Sequence, residues 1–327
     1  MAAMCDSSRR ARWLTALTTP RIPPRLSARF GSPSEAGRQA VLALLRDDWQ
    51  SNGAADRGQA GESPEEMLRD LEARTGRNRR LVIPWLDAAR PLADAAILEV
   101  GCGTGCGTVP LTEQGAKVTG VDLRDDSLRV TRARLEAQGL SARLIRLNAD
   151  ELAAGLAGES FDVVLFWASL EHMTPAERLV ALRGAWDLLP AGGLLGVIDT
   201  PNRLWDYDAH ASQLPFFHWL PPRIALPYAA RSSRPSCRAL AAADEDALYR
   251  YGRSVSFHEF DLAVAPAETL DVVSGLDEFL RRHNFPRRLR WWCPGRDRRH
   301  ARRLRRRCRR VHQAFFEESL QLLIRKP

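Results

Sequence analysis

No part of this sequence is a long, uninterrupted run of apolar residues. The longest aromatic and apolar stretch, residues 214–230, contains four prolines together with His218 and Arg223. Proline breaks a helix, and a bilayer requires about 20 predominantly apolar residues in succession. The sequence therefore predicts no transmembrane helix. Residues 1–30 also lack the continuous apolar segment of a secretory signal, so we expect no secretion.

Cysteine is present without the spacing that marks a disulfide framework or a common metal site. The chain has six cysteines, and no two of them are separated by two residues. Cys102 and Cys106 lie in a glycine-rich segment, where a tight turn favours small side chains. We interpret all six as reduced thiols and expect a cytoplasmic protein.

Basic residues are outnumbered in the body of the chain and concentrated near its end. Residues 39–280 contain 24 basic and 35 acidic residues, whereas residues 281–310 contain 15 arginines and one acid. Clustered arginine with Trp291 and Trp292 can contact an anionic membrane surface or RNA. A solvated helix explains such a charge run as well. Of the two partners, we rank the membrane surface above nucleic acid.

Residues 39–90 have a helical pattern, with apolar residues recurring every three or four positions. One helix begins with a capping box formed by Ser63 and Glu66. Another is predicted over residues 78–92 and should bend or break at Pro84.

From residue 96 onward, short apolar strands alternate with helical patterns. This order indicates a parallel sheet, which binds ligands beyond the carboxyl ends of its strands. Residues 254–263 and 319–327 predict two further strands, with the arginine-rich segment as a helical excursion between them. The central strands are expected at residues 96–101, 116–123, 142–150, 161–169 and 193–200.

A glycine-rich turn follows the first of these strands. In "LEVGCGTGCGT", residues 98–108, glycine occupies every second position from Gly101 to Gly107. Such glycines let the backbone approach a ligand closely and turn into a helix. The dinucleotide fingerprint would need a glycine at position 106, which is Cys106, and the Gly-Lys-Ser/Thr of a P-loop is absent.

Acidic residues lie in or after three neighbouring strands. Glu99 lies inside the first strand, where an unpaired carboxylate is costly, so it needs a cationic or hydrogen-donating partner. Asp122 ends the second strand, where its oxygens can accept the hydroxyls of a ribose. Asp150 ends the third strand. Three carboxylates disfavour a phosphate ligand and favour a cationic nucleoside, which selects S-adenosylmethionine over NAD.

Five motifs follow one another within residues 80–202. They are "EVGCGTG", "VTGVD", "NAD", "FDVVLFWASLEHM" and "LLPAGGLLGVIDTPN". Together they resemble the motifs of class I S-adenosylmethionine-dependent methyltransferases, in the branch that acts on small molecules and lipid-like acceptors. The resemblance implies a doubly wound α/β fold, a Rossmann-like seven-stranded sheet that is mostly parallel, with an antiparallel last strand. The cofactor-binding residues it implies are Glu99, Gly101, Gly103, Gly105, Asp122, Leu123, Asp150, Glu151 and Trp167.

The wall opposite the cofactor decides the reaction. Methyl transfer needs the nucleophile about 3–3.5 Å from the methyl group, and a hydroxyl acceptor also needs a base. We predict His172, Asp208 and His210 as catalytic residues, although His172 could equally cap a helix or lie in the core. Aromatic and polar side chains follow the fifth strand, and a pocket for a small acceptor needs apolar walls with a few polar groups that point into it. The predicted acceptor-binding residues are Asn202, Trp205, Tyr207 and His218.

Family motifs for other acceptors are absent. The tetrad used for amino methylation of nucleic-acid bases would follow the fourth strand, where "FWASLEH" stands. Magnesium-dependent catechol-type transfer would place an aspartate at Phe166 or Trp167, so we expect no metal. The leading hypothesis is methyl transfer to oxygen on a small-molecule or lipid-linked acceptor. The alternatives are an RNA methyltransferase recruited by the arginine-rich segment and a non-catalytic S-adenosylmethionine-binding protein.

The chain is expected to divide into five segments. These are a basic, disordered leader (1–38), a helical lead (39–90), the S-adenosylmethionine-binding core (91–202), an acceptor-side insertion (203–250) and a C-terminal part (251–327) containing the helical excursion 281–312.

Overall fold

The computed structural model describes residues 23–52, 63–283 and 296–327. Its seven strands are β1 (Ala96–Val100), β2 (Lys117–Asp122), β3 (Arg143–Arg146), β4 (Val163–Trp167), β5 (Leu194–Pro201), β6 (Asp271–Gly275) and β7 (Ser319–Arg325). They form one sheet in the order β3-β2-β1-β4-β5-β7-β6. Strands β1 to β5 are parallel, and β7 is antiparallel to both β5 and β6. The seven-stranded, mostly parallel sheet is confirmed.

Helices precede the sheet, connect its strands and form most of the later segments. The α-helices are α1 (Pro24–Ser27), α2 (Glu35–Asn52), α3 (Pro64–Ala89), α4 (Thr108–Glu113), α5 (Asp125–Glu136), α6 (Leu152–Gly155), α7 (Pro175–Asp187), α8 (Pro222–Ala229), α9 (Pro235–Ala239), α10 (Glu245–Tyr251), α11 (Phe257–Ala263), α12 (Leu276–His283) and α13 (Arg296–Arg307). None of these described helices is both long and apolar enough to cross a membrane.

Both faces of the sheet are buried. Successive side chains of a strand point to opposite faces. Leu98 and Val100 of β1 lie in an apolar cluster that also contains Leu182 of α7 and Phe260 of α11. Ile97, on the other face, belongs to a second cluster with residues of α3. Helices therefore cover both faces, as the doubly wound prediction requires.

In the first 90 residues one prediction from the sequence is confirmed and two are wrong. The capping box of Ser63 and Glu66 is present. Helix α3, however, runs through Pro84 as one element, so the prediction of a separate third helix was wrong. The predicted disordered leader is wrong from residue 23 onward, because α1 packs on the sheet domain with Leu26 buried. Residues 1–22 lie outside the described part of the chain.

One predicted strand is a helix. Residues 254–263 alternate in polarity, but Ser256 and Glu259 form a capping box and α11 follows. The sequence of these residues also fits a short helix, because Phe260 and Ala263, three positions apart, are the buried residues of α11. The strand that pairs with β7 is instead β6, whose short sequence "DVVSG" lacks a clear apolar pattern. The arginine-rich helix α13 still lies between two strands.

The insertion after β5 has an apolar cluster of its own. Its buried residues come from α8, α9, α10 and the turn that precedes them: Leu214, Phe217, Ala225, Ala229, Cys237, Leu240 and Leu248. The insertion is therefore a small packed unit whose apolar cluster is separate from the two clusters that cover the sheet.

Candidate active site

The glycine-rich turn leaves the end of β1 with its glycines in the left-handed region. The φ angles are +73° at Gly101 and +53° at Gly103, which side-chain-bearing residues rarely adopt. A Cβ on Gly101 would lie 2.5 Å from the Cβ of Ser169, so no larger residue fits there. A Cβ on Gly103 would meet nothing within 4 Å. The turn thus presents bare backbone to an open space on its Gly103 side.

Asp122 fixes this turn from the end of β2. Its Oδ2 accepts a hydrogen bond from the backbone N–H of Gly103 at 2.8 Å, and its Oδ1 accepts one from the N–H of Arg124 at 2.9 Å. The adjacent Leu123 is 53% exposed, which is unusual for leucine and leaves an apolar surface beside the carboxylate. A carboxylate next to an apolar platform suits the ribose and base of a nucleoside.

Glu99 lies beneath the turn, and its partner is a hydroxyl group. The side chain is buried, and its Oε2 accepts a hydrogen bond from Thr108 Oγ1 at 2.6 Å. Burial raises the pKa of Glu99 to about 8; the Thr108 hydrogen bond opposes this shift, and the Asp122 charge adds to it. The predicted need for a hydrogen-donating partner is met by Thr108. Contact between Glu99 and a ligand stays a prediction.

The remaining predicted cofactor residues differ in their surroundings. Asp150 follows β3, and its Oδ1 is buried without a hydrogen-bond partner, so it can accept from a ligand amino group. Glu151, beside it in a 3-10 turn, is exposed. Trp167, the last residue of β4, is buried in the apolar cluster that contains residues of α3, and a Cβ on Gly107 would lie 2.6 Å from its ring. Trp167 therefore packs under the turn.

These features fit S-adenosylmethionine. The open backbone at Gly103, the exposed Leu123 and the unpaired Asp150 oxygen offer a surface, an apolar platform and a hydrogen-bond acceptor. The ligand carries a positive charge, and the carboxylates of Asp122 and Asp150 supply the opposite sign. The chemistry of this edge of the sheet thus matches a cationic nucleoside.

Across from the turn, a buried carboxylate meets two imidazoles. Glu171 is fully buried in the 3-10 turn Leu170–His172 that follows β4, and its Oε1 has no hydrogen-bond partner. This oxygen lies 3.8 Å from Nε2 of His210. Glu171, His172 and His210 each offer a ligand atom, and these atoms lie within 4.8 Å of one another. The spacing would also accept a metal ion, so the expected absence of a metal stays a prediction.

The His172 ring is oriented by the chain. Its Nδ1 lies 2.9 Å from the backbone oxygen of Arg250, a contact in which Nδ1–H donates. The neutral ring then has an unprotonated Nε2 that can accept a proton. Arg250 is held by a two-pronged pair with Glu177, with both N–O distances 2.7 Å. His172 is exposed, so the alternative of a core histidine is wrong.

Asp208 and His218 form a buried pair of their own. Asp208 is buried; its carboxylate accepts backbone hydrogen bonds from His210, Ala211 and Ser212, and its Oδ1 lies 2.9 Å from Nε2 of His218. Burial alone would raise the pKa of Asp208, but the hydrogen bond and charge of His218, with the backbone donors, hold it well below its usual range. A carboxylate that is saturated in this way is a poor base. These contacts hold the loop, and catalysis by Asp208 and acceptor binding by His218 stay predictions that this burial does not favour.

Two other predicted acceptor residues, Asn202 and Trp205, are buried and hydrogen-bonded within the chain. The Nδ2 of Asn202 donates to the backbone oxygens of Phe315 and Glu317 at 2.7 and 2.8 Å, and its side chain is buried. Trp205 is buried, and its Nε1 donates to the oxygen of Phe316 at 3.2 Å. Both side chains anchor the insertion to the segment before β7, because each has its polar atoms fully engaged away from the open space.

Exposed rings line the outer side of the insertion. Tyr207 is about half exposed, and so are Phe216 and Trp219, whose ring centroids lie 5.2 Å apart. Trp219 Nε1 donates to the backbone oxygen of Arg203 at 2.5 Å. Of the predicted acceptor-binding residues, only Tyr207 keeps an exposed side chain.

An ion pair joins the helical lead to the end of β5. Arg77 of α3 binds both carboxylate oxygens of Asp199, at 2.6 and 2.9 Å. Asp199 has a φ of +55°, an uncommon conformation for a residue other than glycine. The two partners of this ion pair are 122 positions apart in the chain.

Sequence reasoning missed Glu171 and Ser169. Both have a buried side-chain oxygen without a partner, Glu171 next to His210 and Ser169 against Gly101. The signal for Glu171 was its place between Leu170 and His172, where a buried turn forces its carboxylate inward. Nothing in the sequence alone places His210 beside it, because that contact depends on the insertion.

Known proteins share the core of this chain. Residues 97–193 match a family model described as a methyltransferase domain. The ubiquinone biosynthesis O-methyltransferase of Ruegeria pomeroyi is 40% identical over 118 residues, which are 36% of this chain and 46% of that protein. The protein of the same name from Thiobacillus denitrificans is 38% identical over 101 residues, or 31% of this chain and 43% of that protein. The chain thus spans about half the length of the curated relatives it matches.

Among solved structures, the magnesium protoporphyrin IX methyltransferase of Synechocystis PCC 6803 with bound SAM is similar. It is 20% identical, and the match covers 50% of this chain and 77% of that chain with a TM-score of 0.36.

Proposed function

We propose that this chain, whose core is a class I S-adenosylmethionine-dependent methyltransferase domain, transfers a methyl group to an oxygen atom of a small or lipid-linked acceptor. The observation that carries the proposal is the position of His172 and His210 beside the buried Glu171. His172 follows β4, the neighbour of β1 in the sheet, and His210 follows β5, the next strand along. The O-methyltransferase names of the curated relatives support oxygen as the methylated atom.

In this proposal the cofactor is held by the turn and by the strand ends. The Gly101–Gly105 backbone cradles its methionine part, Asp122 accepts from the ribose hydroxyls, Leu123 packs on the base and Asp150 accepts from the adenine amino group. When bound, S-adenosylmethionine supplies a methyl group on a positively charged sulfur. The chain must then place the acceptor in line with that methyl group and remove the acceptor proton.

His172 is the proposed base. Its Nδ1 is engaged by the Arg250 oxygen, so its Nε2 can accept the hydroxyl proton of the acceptor. Nε2 of His210 lies 3.8 Å from Oε1 of the buried Glu171, so the carboxylate faces this ring. In the proposal His210 orients the acceptor, while His172 takes the proton. Removal of a general base typically costs about 10²–10⁴-fold in rate.

The test is a two-stage measurement on the full chain. Calorimetry with S-adenosylmethionine measures cofactor binding for the wild type, Asp122→Asn and Asp125→Asn. Asp125 is the matched control, since it is exposed and lies three residues away. We expect Asp122→Asn to weaken binding by about tenfold or more and Asp125→Asn to leave it unchanged. Absence of binding by the wild type would reject the proposal.

The second stage measures transfer of a labelled methyl group to catechol-type and phenolic acceptors and to a lipid extract. We expect His172→Gln to lose about 10²-fold or more in kcat with unchanged cofactor affinity. A full rate in His172→Gln would reject His172 as the base. The same assay with EDTA separates a base from a metal site: loss of turnover that added Mg²⁺ or Mn²⁺ restores would assign Glu171, His172 and His210 to a cation.

The surroundings of the protein belong to the same proposal. A cytoplasmic location is supported by the free cysteines of the described residues, which are Cys102, Cys106, Cys237 and Cys308. Peripheral contact with an anionic membrane surface is proposed as the way to a lipid-linked acceptor. Trp291 and Trp292, on which that contact partly depends, lie outside the described residues.

A further inference from the structure

We infer that the groove beside the end of α13 binds a phosphoryl group, at a site remote from the cofactor turn. The groove is a cavity of about 510 Å³, and three of its lining residues are Arg305, Arg309 and Arg310. Its other wall includes Glu268, in the short segment that precedes β6.

The topology separates this groove from the candidate active site. Asp271, at the start of β6, pairs with Arg325, and Arg325 pairs with Leu194 at the start of β5. The segment before β6 therefore lies at the amino ends of the parallel strands. The glycine turn and His172 lie at the carboxyl ends. A ligand in the groove would not compete with the cofactor for space.

The guanidinium groups of the groove exceed the local carboxylates. Arg305 pairs with Glu317 through one terminal nitrogen, but its Nε is buried without any acceptor. Arg310 reaches Glu268 only at 3.9 Å, with its side chain largely exposed. Arg309 forms no ion pair with any described carboxylate. Three arginines thus line a concave surface that has one carboxylate, Glu268, among its lining residues, and this excess of positive charge favours an anion with several oxygens.

The groove is also lined by two apolar residues, Val311 and Leu270, and by His312. The Nδ1 of His312 accepts from the N–H of Ala314 at 3.2 Å, so its neutral ring carries the proton on Nε2, which lies 4.0 Å from Oε2 of Glu278. Arg303 and Arg306, also exposed on α13, lie outside the groove. They add positive charge but no concave surface.

The double variant Arg309→Gln/Arg310→Gln tests the site, with Arg303→Gln/Arg306→Gln as its control. Both remove two charges from the same segment. Inorganic phosphate is titrated into the full chain and binding is followed by calorimetry. We expect saturable binding that the groove variant weakens by about tenfold and the control by about twofold or less. Thermal unfolding verifies that both variants fold.

Equal losses in the two variants, or no saturable phosphate binding, would overturn the inference in favour of a general positive field. Binding of a short RNA that both variants weaken equally would overturn it likewise. The phosphoryl group could belong to a soluble phosphate ester or to a lipid headgroup. Vesicles of phosphatidylcholine with and without phosphatidic acid separate these sources: groove-dependent binding to the acidic vesicles supports the lipid, and groove-dependent binding of phosphate alone supports the soluble ester.

Discussion

Asp208 and His218 form a buried pair in which Nε2 of the imidazole lies 2.9 Å from Oδ1 of the carboxylate. The backbone N–H of Ser254 lies 3.4 Å from the other ring nitrogen, Nδ1, so the neutral ring donates to the carboxylate through Nε2. Asp208 also accepts the backbone donors of residues 210–212. This pair therefore closes the loop that carries His210 toward Glu171.

Asp208→Asn should destabilise the insertion more than it harms the chemistry. An amide cannot accept every donor that the carboxylate satisfies, and a broken buried pair costs about 3 kcal/mol. We expect a lower free energy of unfolding in urea and unchanged cofactor affinity. Asp246→Asn is the control, because Asp246 is exposed in the same insertion and should change stability by about 0.5 kcal/mol or less. Equal stability of the two variants would contradict the structural role of Asp208.

The same pair predicts loss of stability in acid. Burial lowers the pKa of His218, although the Asp208 hydrogen bond and charge oppose the shift. The unfolded chain therefore binds a proton near pH 6.5 that the folded chain does not. Stability from this group is complete above pH 6.5 and declines as the pH falls through that value. Unfolding of His218→Gln between pH 5 and 8 should show a smaller slope than that of the wild type.

Glu99 predicts the opposite slope at higher pH. Its pKa in the folded protein is about 8, above the value of an ordinary glutamate, because the side chain is buried. Its contribution to stability is complete below about pH 4.5 and is lost as the pH rises through 8. Glu99→Gln removes the charge and keeps an oxygen for Thr108. We expect the variant to exceed the wild type in stability at pH 9 by on the order of 4 kcal/mol and to approach it at pH 5.

This comparison has a clear negative outcome. If the difference in unfolding free energy between Glu99→Gln and the wild type were independent of pH, Glu99 would be ionised in the folded protein. The conclusion that burial raises the pKa of Glu99 would then be wrong.

Gly101 and Gly103 should differ in their tolerance of alanine. Both carry the cost of a left-handed conformation, about 1–2 kcal/mol. Only Gly101→Ala also brings a Cβ within 2.5 Å of Ser169. We expect Gly101→Ala to lower the thermal unfolding midpoint further than Gly103→Ala. The double variant Gly101→Ala/Ser169→Gly should recover the part due to the clash, and no recovery would contradict that cause.

The sequence predicted the sheet core well because its signals are local. A glycine turn, strand-end acids and alternating helices are each visible within a few residues, and the positions of Asp122, Asp150 and His172 follow from them. The acceptor side was predicted less well. The aromatic and acidic residues after β5 were interpreted as a pocket wall, yet Asn202 and Trp205 bond to residues more than 100 positions later.

The misassigned strand has a similar cause. In residues 254–263 the apolar and polar residues are spaced in a way that fits both a strand and a short helix. Only the capping box of Ser256 and Glu259 distinguishes the helix from the strand. Residues 271–275 form strand β6 because they pair with β7, which lies more than 40 positions later in the chain. The local sequence around β6 therefore does not reveal this strand.

The pairing of Arg77 with Asp199 makes the boundaries of the matched domain a poor guide for chain engineering. Residues 97–193 contain neither partner, so a recombinant fragment cut to those limits would lose the clamp at the end of β5. A fragment that keeps both partners of this ion pair must contain helix α3 as well as the end of β5.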